Sequence, residues 1–390
     1  MFDFDPFDPA YFSNPFPYYE EMRRDHPVYR REIADHRVWP HYWMLSRADD
    51  VNAALADWRT FSSARGTLVD TDTSLIPPNI FNMDPPRHDE LRSVLARVLT
   101  PSRIAGLEPH IRRYSEELVA DFLERGGFDG ATEFAHMIPT VTMCALMDLP
   151  LDERQRFLDW NLVTMAGADF TSPEALAAYG EMGQYWTGLV AQRRQHPGTD
   201  LISQIIHAEV DGEALSDDEI GGFCSLLHDA AQNTTMNMIT HGVMALGRHA
   251  EHRRQLAADP ALWSKGVEEL LRFVSPVQGL TRSTTRDVEL HGQIIPEGDQ
   301  VLLLYGAANH DEHAYPNPEV LDFDRPNLKA HWAFGHGIHY CLGNAVARLE
   351  IKVSLQTLTE LAGDWSVDDA AVEYNQLVPT RGVAHAPITF

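Results

Sequence analysis

A cysteine set among glycines at the mouth of a long amphipathic helix constrains this chain more than any other feature. The run reads Phe334-Gly335-His336-Gly337-Ile338-His339-Tyr340-Cys341-Leu342-Gly343. Over residues 341–361 apolar side chains recur every three or four positions without a proline, the period of a helix with one buried face. A sulfur at a helix N-terminus meets unsatisfied backbone N–H groups and the positive end of the helix dipole, and both favour thiolate over thiol. Gly335, Gly337 and Gly343 remove side chains where a flat macrocycle would approach the backbone. His339, two residues before the sulfur, can donate to an anion. Two plainer readings stand beside this one. Cys341 could be a buried core cysteine, or His336, His339 and Cys341 could hold zinc, although paired Cys-x-x-Cys spacing occurs nowhere in the chain.

The rest of the chain sets bounds. Its 390 residues can bury a large core, and no Gly/Ser linker, charge block or internal repeat divides them, so residues 1–390 read as one continuous domain. Three cysteines, Cys144, Cys224 and Cys341, cannot form a disulfide framework and suit a reducing, cytoplasmic setting. The first residues, MFDFDPFDPAYFSNPFPYY, lack the basic and apolar regions of a signal peptide, and no run of about 18 apolar residues is present, so no membrane association is expected. A formal charge of −26 argues against a nucleic-acid partner. Helix-period segments cover 88–100, 107–124, 151–166, 174–195, 217–248, 262–273 and 341–361, with strand signals at 38–45, 288–290, 300–304 and near the C-terminus. The pattern predicts a mainly α chain with small β-sheets.

The glycine–cysteine run resembles the haem-binding loop of the cytochromes P450, whose pattern Phe-Gly-x-Gly-x-His/Arg-x-Cys-x-Gly is filled at every fixed position. The resemblance implies that fold, with haem b between a long distal helix and the helix after the cysteine loop. It implies Cys341 as the axial ligand of the haem iron, with Phe334, Gly335 and Gly343 shaping the loop. A thiolate on haem iron pushes electron density to the metal and favours O–O cleavage. Glu269-Leu270-Leu271-Arg272 places a carboxylate and a guanidinium on one helix face. Alone it would be an ordinary surface pair, but its position resembles the family's Glu-x-x-Arg helix, and Arg325 occupies the place of the arginine that completes a buried triad. These three are expected to hold the fold and retain haem. Residues matching the family's propionate partners are His88, Arg92, Arg282 and His339.

Leu226 to Thr235, LLHDAAQNTT, resembles the family's oxygen-binding groove. Thr234 falls at the threonine that aids proton delivery to dioxygen. The acid that usually precedes it is replaced by Asn233, which can hydrogen-bond but cannot relay protons by titrating. Delivery would then run more slowly, or through Asp229, His228 or water. Asp229 reads equally as a substrate-recognition acid or as an internal ion-pair residue. With Asp229, the pocket candidates are Leu226, Ala230, Phe81, Leu280 and Val378, and, from the flanking segments 65–82 and 157–186, Leu75, Ile80 and Phe170. These suit a mostly hydrophobic ligand.

The resemblance therefore implies a soluble bacterial monooxygenase that inserts one atom of O₂ into a small organic substrate, by hydroxylation or oxidative dealkylation. Electrons would come from NAD(P)H through a ferredoxin reductase and a ferredoxin. Because the chain is acidic, ferredoxin docking calls for a local basic patch, drawn from Arg97, Arg103, Arg112, Arg113 and Lys352. The alternatives are a peroxide-driven peroxygenase, motivated by Asn233, and a non-catalytic haem-thiolate sensor.

Overall fold

The computed structural model describes residues 2–6, 8, 11, 13–36, 38–71, 79–165, 172–210, 212–377 and 380–390. Val378, Leu75 and Phe170 lie outside them. The chain packs as two compact units, each assembled from three separated segments, so no single linker divides them. One comprises Met1–Arg92, Glu268–Leu342 and Val378–Arg381, and the other Ser93–Val267, Gly343–Leu377 and Gly382–Phe390.

The first unit is built on a five-stranded sheet in the order Val28–Glu32, His41–Leu45, Gln300–Leu303, Leu280–Thr284, Phe61–Ser62. The pairing of Gln300–Leu303 with His41–Leu45 is parallel and the others are antiparallel. Successive residues of a strand face opposite sides, and here both sides are apolar. Val301, Leu303, Trp43 and Leu45 join one cluster with Val51, Leu55 and Phe61. Leu302, Leu304 and Met44 join another with Tyr19, Met22 and Tyr42. A strand expected over 38–45 begins at His41, because Pro40 has no N–H to give a ladder.

The second unit is helical. Its longest helix, Asp217–Arg248, is started by a capping box in which Ser216 and Glu219 satisfy each other's backbone N–H groups. It packs against Met137–Met147, Arg154–Met165, Pro173–Gln195 and Asn344–Ala362, and the last of these also packs on Glu108–Arg125. Met137–Met147 escapes the periodicity argument because it is buried nearly all round and has no polar face. Among the described residues, no helix is long and apolar enough to cross a membrane.

One boundary bears on the site. The helix expected from Cys341 begins at Asn344. The Cys341 N–H instead donates to the carbonyl of Phe334 at 2.9 Å, closing the loop upon itself. The sulfur is therefore carried by the loop and not by the first helical turn.

Candidate active site

Backbone geometry accounts for two of the loop's glycines. Gly335 and Gly337 have φ of +68° and +71°, the left-handed region that costs glycine least. A Cβ on Gly337 would also lie 2.3 Å from the carbonyl oxygen of Leu55. Gly343 is different: its φ is ordinary, and no heavy atom stands within 4 Å of where its Cβ would be. The turn by itself demands glycine at Gly335 and Gly337, independently of what approaches them.

Cys341 is half-buried, whereas Cys144 and Cys224 are buried and burial pushes both thiols up to about 12. Those two are inert core cysteines, and Cys341 is the more accessible one. The zinc reading fails on geometry. Among the described residues, the one trio of metal-ligating types with atoms within 4.8 Å of one another is Asp311, Glu312 and His313. Even there, Asp311 accepts from the Ala48 N–H and Glu312 pairs with Arg23.

Beside the cysteine loop, four nitrogen-rich side chains converge. His88 is fully buried, with its ring centroid 4.4 Å from that of His339. Arg92, half-buried on the helix Arg87–Val98, donates to the carbonyl oxygen of Tyr340 at 2.5 Å, next to Cys341. Burial pulls the Arg92 guanidinium down, while the Cys341 and Asp89 charges pull it back up. Arg282 is 4% exposed and is steadied by Tyr305, a residue with no local sequence signal. His339 is pushed down to about 2 by burial first and then by Arg282, His88 and Arg92.

Among the described residues, His88 Nε2 and His339 Nε2 are buried with no hydrogen-bond partner. Unpartnered polar atoms in a buried site are rare and costly. A concentration of positive charge with two orphaned ring nitrogens calls for anions, and the two carboxylates of a haem supply them. By this test the residues fit the group.

The expected triad is assembled within the same unit. Glu269 accepts from Arg272 Nε and Nη2, both at 2.8 Å, and from Arg325 Nε at 2.9 Å. It also accepts from the Asp322 N–H at 3.0 Å. Arg272 donates further to the Asn309 carbonyl, and Arg325 to the carbonyls of Pro316, Asn317 and Val320. Glu269 and Arg272 have no exposed side-chain surface. The neighbouring Glu268, missed in the sequence, accepts from His331 Nε2 at 3.0 Å, and His331 Nδ1 accepts from the Ala333 N–H. That pair pins the chain just ahead of Phe334, whose half-buried ring lies near those of His331 and Tyr340.

In the helical unit, Leu226, Asp229, Ala230 and Thr234 share an open face of Asp217–Arg248, while every residue over 235–246 is buried. The Thr234 hydroxyl donates to the Ala230 carbonyl at 3.1 Å. Asn233 is 2% exposed, and its Oδ1 accepts from Asn237 Nδ2 at 3.2 Å. The Asn237 Oδ1 in turn accepts from the Val383 N–H, so this amide pair ties the helix to the C-terminal strand Thr380–His385. Two pocket candidates belong to the other unit. Phe81 is half-buried in the turn Ile80–Asn82, and Leu280 packs against the sheet core.

Comparison with known proteins bears on the family. The family model "Cytochrome P450" matches residues 262–360. The chain is 36% identical to a vitamin D(3) 25-hydroxylase of Pseudonocardia autotrophica, covering 99% of this chain and 96% of that one. It is 35% identical to cytochrome P450 130 of Mycobacterium tuberculosis, covering 93% and 91%. Among solved structures it resembles the Bacillus subtilis bacillaene polyketide synthase cytochrome P450 PksS, with TM-score 0.91 and 29% identity over 99% of both chains. It also resembles Mycobacterium marinum CYP268A2 in complex with pseudoionone, with TM-score 0.89, 29% identity and full coverage of both chains. Matched over nearly its whole length in sequence and in fold, the chain belongs to the cytochrome P450 family, monooxygenases that bind haem b.

Proposed function

We propose that this monooxygenase oxidises a small, mostly hydrophobic organic substrate, with electrons passed from NAD(P)H through a reductase and a ferredoxin. The observation that carries the reading is the buried cluster of His88, Arg92, Arg282 and His339 beside Cys341, with its two orphaned ring nitrogens. Cys341 would ligate the iron, and the four nitrogen-bearing side chains would hold the propionates. The haem, when bound, supplies dioxygen activation and oxygen-atom transfer to a C–H bond. The apolar side chains of Leu226 and Ala230 on the open helix face support a hydrophobic ligand. So do the relative named for vitamin D(3) and the solved structure in complex with pseudoionone.

On the open helix face, Thr234 Oγ1 would hold and pass a proton. Asn233 is engaged by Asn237 and has no proton to titrate, so protons reach Thr234 from elsewhere. That same feature favours a second reading, in which hydrogen peroxide replaces dioxygen and the reductase chain.

Product formed per NADH and per peroxide, measured on wild type, Asn233→Asp and Thr234→Ala, separates the two. Under the monooxygenase reading, Asn233→Asp keeps or raises NADH-coupled product, and Thr234→Ala diverts electrons to peroxide. Ready turnover of wild type with peroxide, suppressed in Asn233→Asp, would overturn it in favour of the peroxygenase.

A further inference from the structure

A fully buried histidine and a partly exposed aspartate stand side by side on the long helix, the aspartate on its open face. His228 has no exposed side-chain surface, and Asp229 keeps 23%. His228 Nε2 lies 3.0 Å from the carbonyl oxygen of Phe157, on the helix Arg154–Met165. A carbonyl only accepts, so Nε2 carries a hydrogen. His228 Nδ1 lies 3.1 Å from Asp229 Oδ1. Two lone pairs cannot share that contact, so one proton lies between the ring and the carboxylate. Whichever atom holds that proton, the pair has no net charge.

The imidazole is fixed on both sides. Its ring stands 6.2 Å from that of Trp160 and 6.1 Å from that of Trp186. A further titratable group close enough to feel the Asp229 charge is Tyr179, on Pro173–Gln195. Burial, and then the Asp229 charge, push its phenol up, so it stays un-ionised. His228 thus holds one carboxylate oxygen of Asp229. The other oxygen, Oδ2, has no partner among the described residues and shares its face with Leu226, Ala230 and Thr234.

We propose that Asp229 Oδ2, held in place by His228, is a specificity-determining acceptor for a hydroxyl group on an otherwise hydrophobic substrate. The inference rests on the monooxygenase reading and names its substrate class further. A hydrocarbon covering this face would strip water from Oδ2 without replacing the hydrogen bond, which carries a penalty. An ammonium group would bring an uncompensated charge to a pair that already balances its own. A neutral O–H satisfies the oxygen at neither cost.

The test uses holoenzyme and matched ligands: 1-decanol, decyl methyl ether, decane and decyltrimethylammonium, with 1-adamantanol, 1-methoxyadamantane and adamantane as a second skeleton. Dissociation constants are measured by calorimetry. Each alcohol is expected to bind about tenfold or more tighter than its ether or hydrocarbon, since leaving a covered acceptor without its hydrogen bond costs roughly that. Asp229→Leu should erase the difference, weakening the alcohols while sparing the hydrocarbons. The wild-type comparison stands even if that variant folds poorly. Equal affinities within each set, failure of every alcohol to bind, tightest binding by the ammonium ligand, or a preference that survives in Asp229→Leu would overturn the proposal. Failure of the haem-thiolate reading would appear separately, as loss of the thiolate CO spectrum from the same preparation.

Discussion

Replacing Glu269 by glutamine tests whether the buried triad holds the unit that carries Cys341. The change keeps the side chain's shape and one acceptor oxygen. It removes the charge and turns an N–H group toward the Arg272 guanidinium, donor against donor. Three hydrogen bonds from arginines and one from the Asp322 backbone converge on this carboxylate. Arg272 and Arg325 are both buried, at 0% and 7% exposed. Breaking a buried ion pair by removing one partner costs about 3–5 kcal/mol, because the remaining charge is stranded. The carbonyls of Asn309, Pro316, Asn317 and Val320 still serve the two guanidiniums and place Glu269→Gln near the lower end. A loss of about 3 kcal/mol is a large part of the roughly 5–15 kcal/mol by which a folded protein is stable. The expected result is haem-poor protein with a lowered urea midpoint, read by haem content and by urea unfolding of the holoprotein. Arg272→Lys should behave alike, since an ammonium keeps the charge but loses the two-pronged contact with Glu269. Wild-type haem content with a stability loss below about 0.5 kcal/mol in Glu269→Gln would refute the reasoning.

Cys341→Ser is expected to abolish the long-wavelength Soret band of the reduced CO complex, whereas Cys144→Ser and Cys224→Ser should keep it; a thiolate spectrum surviving in Cys341→Ser would remove the axial assignment. Glu350, 3% exposed, is pushed up to about 8 by burial against the opposing pull of a hydrogen bond with Thr142. Its folded-state value is raised above the ordinary value of 4.5, so its contribution to stability is full below about pH 4.5 and is lost as pH rises through about 8. Glu350→Gln should therefore match wild type at pH 4.5 and exceed it by a few kcal/mol, to order of magnitude, at pH 8.5, and an equal difference in urea midpoint at both pH values would contradict this. Among the residues expected to form a basic patch, Arg112 already pairs with Glu108 and Glu360, Arg113 with Glu117, and Arg103 donates to the Thr199 carbonyl. Charge reversal at Arg97 and Lys352 is thus expected to raise the apparent KM for ferredoxin more than reversal at Arg112 or Arg113, and an inverted order in reduction kinetics would count against the patch.

Much of the helical frame was legible because it depends on local pattern. Residues 217–248 show a helical period and an N-terminal Ser-x-x-Glu, and the helix occupies Asp217–Arg248. The pattern failed where a segment has no polar face, as in Met137–Met147, and where a loop competes for the first N–H groups, as at Cys341. The triad was legible only in part. Glu269 and Arg272 face each other by helical spacing, but the burial that turns a weak surface pair into a critical one is a tertiary fact.

The sequence by itself determined the glycine spacing around Cys341, the helix register that puts Thr234 four residues from Ala230, and the absence of an acid beside Thr234. Covalent spacing and helical period write those relations into neighbouring residues. Only the tertiary structure decided that His88 and His339 leave ring nitrogens unpartnered among the described residues, and that Asn233 is tied through Asn237 to Val383. It alone decided that His228, held by Phe157, leaves one oxygen of Asp229 open. Hydrogen-bond satisfaction is counted over partners brought together from distant parts of the chain. Whether a buried polar atom finds one depends on how helices and loops close around it, which no local pattern records.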